Sequence, residues 1–82
     1  MADINITPDE IADLKGLNCP MPVLKTKKAL DNIGAGKILQ VDLTDAGSKS
    51  DLPAMIKRTG NMLLEMTENN GVYTFFIKKK EG

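Results

Sequence analysis

The Asn70-Gly71 pair, which lies between two stretches of alternating residues, constrains the fold of this chain more than any other feature. Asn-Gly is the strongest short signal for a two-residue hairpin turn of type I′, because both residues readily adopt positive φ angles. Apolar residues alternate before it, from Met62 to Glu68, and the segment Val72 to Ile77 supplies a partner strand after it. The pattern therefore predicts an antiparallel β-hairpin.

The part of the chain before the hairpin begins with a strand, a helix and a second strand. The segment Ile11 to Lys15 is predicted to be a short strand, and residues Pro22 to Ile33 show a helical pattern that Gly34 ends. Apolar and polar residues alternate between Lys37 and Leu43, which is typical of a half-buried strand. The apolar face of the predicted helix comprises Val23, Thr26, Ala29, Leu30 and Ile33.

A second helix is predicted between this strand and the hairpin. Ser48 and Ser50 are suitable N-cap residues, and Asp51 belongs in or near the first turn. Proline fits best in a first turn, so Pro53 favours a helix that starts near Ser50 and ends before Gly60. The apolar stripe of this helix comprises Leu52, Met55, Ile56 and Thr59.

The order of elements, β-α-β-α-β-β, predicts the fold class. Each β-α-β crossover is expected to be right-handed, which places both helices on one face of a single sheet. The hairpin makes the last two strands antiparallel, so the four-stranded sheet is mixed. The expected architecture is a two-layer α/β sandwich in which residues 1–82 form a single domain.

The composition excludes several classes of function. The chain has no histidine, which excludes a Cys–His or Ser–His pair and nearly every transition-metal site, and no metal or cofactor is expected. Its formal net charge of zero gives little support to nucleic-acid binding. The sequence shows no membrane span and no secretory signal at its N-terminus. With a single cysteine, this favours a cytoplasmic protein, which we expect to be monomeric.

The single cysteine, Cys19, lies where the first strand's exit loop meets the first helix. Pro20 and Pro22 suit this position, because the first turn of a helix tolerates missing N–H groups and fixed φ angles preset its shape. These two prolines are predicted to shape the loop and to leave the sulfur accessible. In the alternative interpretation, Cys19 is a small buried hydrophobic residue and the prolines only stiffen the loop.

The electrostatic surroundings of Cys19 are expected to favour a thiolate. Unpaired amides at the start of a helix attract an anion, and those of Met21 and Val23 are candidate donors. Positive potential is expected from three nearby lysines, Lys25, Lys27 and Lys28. All these effects would lower the pKa of the Cys19 thiol, and the thiolate is the nucleophilic form.

The stretch from Asp13 to Pro22, which reads DLKGLNCPMP, resembles the signature of the TusA/SirA family of small sulfur-carrier proteins. Two further stretches agree with this resemblance, namely Asp51 to Glu65 and the C-terminal FFIKKKEG. The resemblance implies that Cys19 accepts sulfur as a persulfide from a cysteine desulfurase or a rhodanese-type donor. The sulfur would then pass to an acceptor, such as a DsrE-like protein, in transfer-RNA thiolation or another sulfur pathway.

In this hypothesis Met21, Lys25 and Lys28 contact the partner proteins. The chain departs from the family pattern at Ala46, where relatives often have proline, so the loop after the second strand could differ in rigidity.

The second hypothesis is a small interaction or regulatory module with a structural cysteine. A third hypothesis is an RNA-binding module. It is weaker, because Phe75-Phe76 is the only adjacent aromatic pair on which bases could stack.

For three other groups of residues we prefer an ordinary structural interpretation. The spacing of three acidic residues fits no cation site, so a solvated turn is expected for Asp42, Asp45 and Asp51. Packing in the core is expected for Met55, Met62 and Met66. The basic run at 78–80 is expected to be a solvated tail.

Overall fold

Four strands and two helices follow one another in the predicted order. The computed structural model describes residues 7–81. The first six residues of the N-terminal segment, which was predicted not to be a secretory signal, therefore lie outside the described residues, as does Gly82. Apart from the second helix, the bounds lie within one residue of the predicted ones. The elements are β1 (Glu10–Leu14), α1 (Met21–Asn32), β2 (Ile38–Leu43), α2 (Ala46–Arg58), β3 (Met62–Asn69) and β4 (Val72–Lys78).

The strands form one mixed sheet in the order β1-β2-β4-β3. β1 and β2 pair in parallel, whereas β4 is antiparallel to both β2 and β3. The turn between β3 and β4 has φ angles of 53° at Asn70 and 82° at Gly71, as the predicted type I′ turn requires. The hairpin and the mixed sheet are confirmed.

Both helices cover the same face of the sheet, and the core lies between the two layers. α1 contacts β1 and β2, α2 contacts β3, and the helices contact each other. This confirms the two-layer α/β architecture. Within residues 7–81, neither helix has the length and apolar character needed to cross a membrane. The core comprises Leu14, Leu30, Leu39, Val41, Leu43, Leu52, Met55, Ile56, Phe75 and Ile77.

The predicted start of α2 near Ser50 is wrong. The helix begins at Ala46, because the side chain of Asp45 accepts a hydrogen bond from the Ser48 N–H at 2.9 Å and so acts as the N-cap. Pro53 consequently lies inside the helix rather than in its first turn. Ala46 belongs to the helix as well, so the loop after β2 is shorter than the sequence suggested.

The predicted inward face of β3 is also partly wrong. A bulge shifts the register between Leu63 and Glu65, which changes the side-chain alternation along the strand. Leu63 and Met66 pack against the core, whereas Met62 is 59% exposed. The expectation of core packing therefore holds for Met55 and Met66 and fails for Met62.

The basic run at 78–80 is not simply a solvated tail. Lys78 is the last residue of β4, and the Lys79 ammonium donates a hydrogen bond to the backbone carbonyl of Leu30, near the end of α1. A cation in this position pairs with the negative end of the helix dipole. The Lys80 N–H donates to the side chain of Asn61 at 2.9 Å. The segment thus binds the chain after β4 to residues at or just beyond the C-terminal ends of α1 and α2.

Candidate functional site

Two loops meet at one edge of the sheet because β1 and β2 are neighbouring parallel strands. The loop from β1 leads to α1, and the loop from β2 leads to α2, so both leave the sheet at the same end. They are joined by a hydrogen bond of 3.0 Å from the Gly16 N–H to the Thr44 hydroxyl. Cys19 therefore lies beside the N-terminus of α2 as well as that of α1.

Cys19 is exposed and lies two residues before the first residue of α1. Pro20 is the N-cap residue, and the peptide bond that joins it to Cys19 is cis. Pro22 lies in the first turn and is buried beneath the helix, where it packs as a core residue as well as shaping the loop. Met21, between the two prolines, is 40% exposed.

The other predicted contact residues lie on the outer surface of α1. Lys25 and Lys28 are exposed, and neither forms an ion pair within residues 7–81, whereas Lys27 pairs with Asp31 at 3.4 Å. Leu24, which the sequence interpretation missed, is 55% exposed in the same helix. Together with Met21 it forms an apolar surface in the first turn, close to the thiol in the chain.

Asp45 ties the Cys19 loop to α2 through a single carboxylate oxygen. Its Oδ2 atom accepts hydrogen bonds from the Ser48 hydroxyl at 2.8 Å, from the Ser48 N–H at 2.9 Å and from the Cys19 N–H at 3.2 Å. These bonds, the Ser48 hydroxyl first among them, lower the pKa of Asp45 below its ordinary value of 3.8. One side chain thus caps α2 and positions the backbone of Cys19.

Asp51 contacts the sulfur itself. The Cys19 Sγ donates a hydrogen bond to the Asp51 Oδ2 at 3.6 Å, within the range for a sulfur donor. Desolvation by the surrounding atoms and then the bond to Asp51 raise the pKa of the Cys19 thiol above its ordinary value of 9.0. The negative charges of Asp51 and Asp45 act in the same direction, and the Ser48 hydroxyl opposes them. After desolvation, the Asp51 carboxylate is therefore the main cause of the raised pKa of Cys19.

The predicted lowering of the Cys19 pKa is therefore wrong. Two carboxylates from the α2 segment face the sulfur, and no lysine is among the groups that shift its pKa. The Met21 N–H, expected to face a thiolate, instead donates to the backbone carbonyl of Asn18 at 2.9 Å.

The expectation of a solvated turn is wrong for Asp42, which lies in β2 and accepts a hydrogen bond from the Thr74 hydroxyl at 2.7 Å. It is incomplete for Asp45 and Asp51, because both contact Cys19. The predicted β-α-β unit was the signal that could have revealed the contacts of Asp45 and Asp51, because parallel pairing of its two strands brings their exit loops together.

The site thus offers one accessible thiol with two carboxylates nearby, and it lies next in sequence to a helical turn with exposed apolar residues. Within residues 7–81, no group of three or more Cys, Asp or Glu side chains is arranged to hold a metal ion. A thiol in such a setting can act as a nucleophile toward another sulfur atom once it loses its proton.

Comparisons with known proteins agree on one family. The family model described as Sulfurtransferase TusA matches residues 10–79. The sulfur carrier protein TusA of Allochromatium vinosum is 46% identical over 71 residues, which cover 87% of this chain and 93% of that protein. The sulfur carrier protein TusA of Pseudomonas putida (strain W619) is 40% identical over 76 residues, which cover 93% of this chain and 95% of that protein.

A solved structure is similar over most of the chain. The crystal structure of a SirA-like protein from Desulfitobacterium hafniense superposes with a TM-score of 0.77 at 32% identity. The match covers 88% of this chain and 99% of that one. Similarity in sequence and in fold therefore extends over most of the length of each partner in the comparison.

Proposed function

The chain belongs to the TusA sulfurtransferase family, and we propose that it carries sulfur as a persulfide on Cys19. The observation that carries this proposal is the exposure of Cys19, the only cysteine of the chain, at the start of α1. A structural cysteine is expected to be buried among apolar side chains, and Cys19 is not. Its exposure argues against the alternative of a regulatory module with a structural cysteine.

Sulfur acceptance needs only one exchange step. The Cys19 thiol loses its proton, and the resulting thiolate attacks the outer sulfur of a donor persulfide. A bond forms between Cys19 and that sulfur, the sulfur–sulfur bond of the donor breaks, and the donor cysteine leaves as a thiolate that takes up a proton. The second step, in which an acceptor thiolate attacks the new persulfide, has the same form. Because the chain contains no second cysteine, the partner must supply every other thiol.

The donor in this proposal is a cysteine desulfurase or a rhodanese-type protein, and the acceptor is a sulfur-relay protein such as a DsrE-like one. Their contact surface is proposed to lie on the first turns of α1. Met21 and Leu24 offer exposed apolar area there, and Lys25 and Lys28 add positive charge. Exposed apolar groups beside a reactive atom suit a partner that docks briefly and then leaves.

The test is the intact mass of the protein after incubation with a cysteine desulfurase and cysteine. We expect a gain of the mass of one sulfur atom that a thiol reductant reverses. The variant Cys19→Ser is nearly isosteric and should show no gain. An unchanged mass of the parent protein, with a donor shown separately to carry persulfide, would contradict the proposal.

The same variant separates a carrier from an interaction module. If Cys19 is only structural, Cys19→Ser leaves sulfur transfer through the relay unaffected. If Cys19 carries the sulfur, the variant keeps its partner affinity and blocks the relay at this protein. The RNA-binding alternative loses support because Phe75 and Phe76 are both buried and offer no stacking surface.

A further inference from the structure

The side chain of Asp51 contacts the sulfur of Cys19 from a position 32 residues further along the chain. It projects from α2, and its Oδ2 atom accepts a hydrogen bond from the Cys19 thiol, with 3.6 Å between Oδ2 and Sγ. Asp51 forms no ion pair within residues 7–81, so its charge is not neutralised by a cation of the described chain. It is exposed, so a group brought by another molecule can reach it.

We propose that Asp51 is a positioning residue for sulfur transfer, which holds the proton of Cys19 in the resting protein and selects donors that bring a cation to the site. This inference rests on the proposed function, because it concerns the same sulfur atom. The partner it describes is a persulfide- or disulfide-bearing molecule with a positively charged group beside its sulfur.

The resting state follows from the charges that face the thiol. From α2 and its N-cap these are Asp51 and Asp45, with the neutral hydroxyl of Ser48. From α1, no lysine contributes. Two negative charges disfavour a third one on the sulfur, so Cys19 remains a thiol at neutral pH and is protected from unspecific oxidation.

A donor's cation changes this balance. When a positive group pairs with the Asp51 carboxylate, the thiolate is no longer disfavoured and the proton of Cys19 passes to water. The thiolate then attacks the donor's outer sulfur, the donor's sulfur–sulfur bond breaks, and the departing thiolate takes a proton from water. No net charge or electron is gained or lost by the pair, and sulfur moves only where the cation has docked.

The first measurement is the rate of alkylation of Cys19 by iodoacetamide, a neutral probe, between pH 6 and pH 10 (about four decades of proton concentration). The variant Asp51→Asn should move the midpoint of the profile to lower pH. Its rate at neutral pH should rise by about two- to fivefold, since the larger thiolate fraction outweighs the lower nucleophilicity of each thiolate. An unchanged or higher midpoint would overturn the proposal.

Two control variants keep this result specific. Asp31→Asn removes an exposed carboxylate near the other end of α1 and changes the net charge equally, so its profile should match that of the parent. Asp51→Glu restores the carboxylate and should return the midpoint toward the parental value. If circular dichroism showed that Asp51→Asn does not fold, the proposal would be decided by the parent and Asp51→Glu in the comparison of charged disulfides described next.

The second measurement compares three small disulfides of different charge. Cystamine is cationic, hydroxyethyl disulfide is neutral and dithiodipropionate is anionic. The parent protein should form its mixed disulfide fastest with cystamine, and raising the salt concentration should reduce this preference. Asp51→Asn should reduce it as well, whereas Asp31→Asn should not. Equal rates for the three probes with the parent protein would contradict the selection of cations.

Both measurements use only the thiol and a small molecule, so they do not depend on sulfur relay. If the protein gains no sulfur from a desulfurase but shows the expected pH profile, the proposed function fails and the role of Asp51 stands. If it gains sulfur but its profile is insensitive to Asp51→Asn, the role of Asp51 fails and the proposed function stands.

Discussion

The backbone N–H of Cys19 donates a hydrogen bond to Oδ2 of Asp45 at 3.2 Å, across 26 positions of sequence. The same oxygen caps α2 through Ser48, so the loop that carries the thiol and the start of the second helix share one anchor. The position of the sulfur therefore depends on the contact between the Cys19 loop and the start of α2, and not on the local Cys-Pro-Met-Pro sequence alone.

Removal of this anchor should destabilise the fold and loosen the thiol loop. The variant Asp45→Ala loses an N-cap together with the bond to Cys19, and we expect the Tm to fall by about 4–8 °C. The control Asp45→Ser retains a good capping group on a shorter side chain. It should recover much of the Tm, while the Cys19 amide exchanges hydrogen faster than in the parent. A parental Tm for Asp45→Ala would contradict the role of the anchor.

The same carboxylate predicts a pH dependence of stability. Hydrogen bonds lower the pKa of Asp45 in the folded state below 3.8, the ordinary value that applies to the unfolded chain. Its stabilising contribution is therefore fully present above about pH 4 and is lost as the pH falls through the folded-state pKa. Urea unfolding at a series of pH values should show the free-energy difference between the parent and Asp45→Asn shrinking in this acidic range. A constant difference down to pH 2 (roughly two units below the ordinary value) would contradict it.

The buried hydroxyl of Thr26 offers a route to a more stable protein. Thr26 is completely buried in α1, and its Oγ1 has no hydrogen-bond partner within the described residues. Thr26→Val has nearly the same shape and removes an unpaired polar group, so the free energy of unfolding should rise by about 1 kcal/mol.

The matched control is Thr59→Val at the end of α2. The Thr59 hydroxyl donates to the Met55 carbonyl at 2.9 Å and accepts from the Asn61 amide at 2.8 Å. Its removal should lower the free energy of unfolding by about 1–2 kcal/mol. Urea denaturation of both variants checks the pair, and a loss of stability in Thr26→Val would count against the unpaired hydroxyl.

Two methionines that the sequence predicted to be in the core should respond differently to truncation. Met55 is 2% exposed in α2, and Met55→Ala should cost about 2–4 kcal/mol because a cavity remains in the core. Met62 is 59% exposed at the start of β3, and Met62→Ala should change the free energy of unfolding by no more than about 0.5 kcal/mol. Equal effects in chemical denaturation would show that the bulge does not turn Met62 outward.

The parts of the fold that depend on local sequence were predictable. The turn follows from Asn70-Gly71, because few other residue pairs accept positive φ angles at both positions. β2 follows from the alternation of Leu39, Val41 and Leu43, which are all buried. The layer arrangement follows from right-handed crossovers between these elements.

The errors have both local and distant causes. The start of α2 is a local one, because Ser48 and Ser50 were sound N-cap candidates, but the Asp45 side chain accepts a hydrogen bond from the Ser48 N–H and starts the helix earlier. The bulge in β3 could not be predicted, because the strand contains no glycine, the usual sequence signal for a bulge. The surroundings of Cys19 were mispredicted because the nearby lysines were counted along the chain, whereas the carboxylates reach the sulfur only through the parallel pairing of β1 and β2.

The bulge in β3 also bears on how the protein behaves at high concentration. β3 is an edge strand of eight residues, long enough to serve as a template on which strands of other molecules could assemble. The register shift between Leu63 and Glu65 interrupts its free row of N–H and C=O groups, and Glu65 adds an exposed charge at the break. The irregularity that changes the side-chain alternation of β3 thus also disfavours pairing of this edge with strands of other molecules.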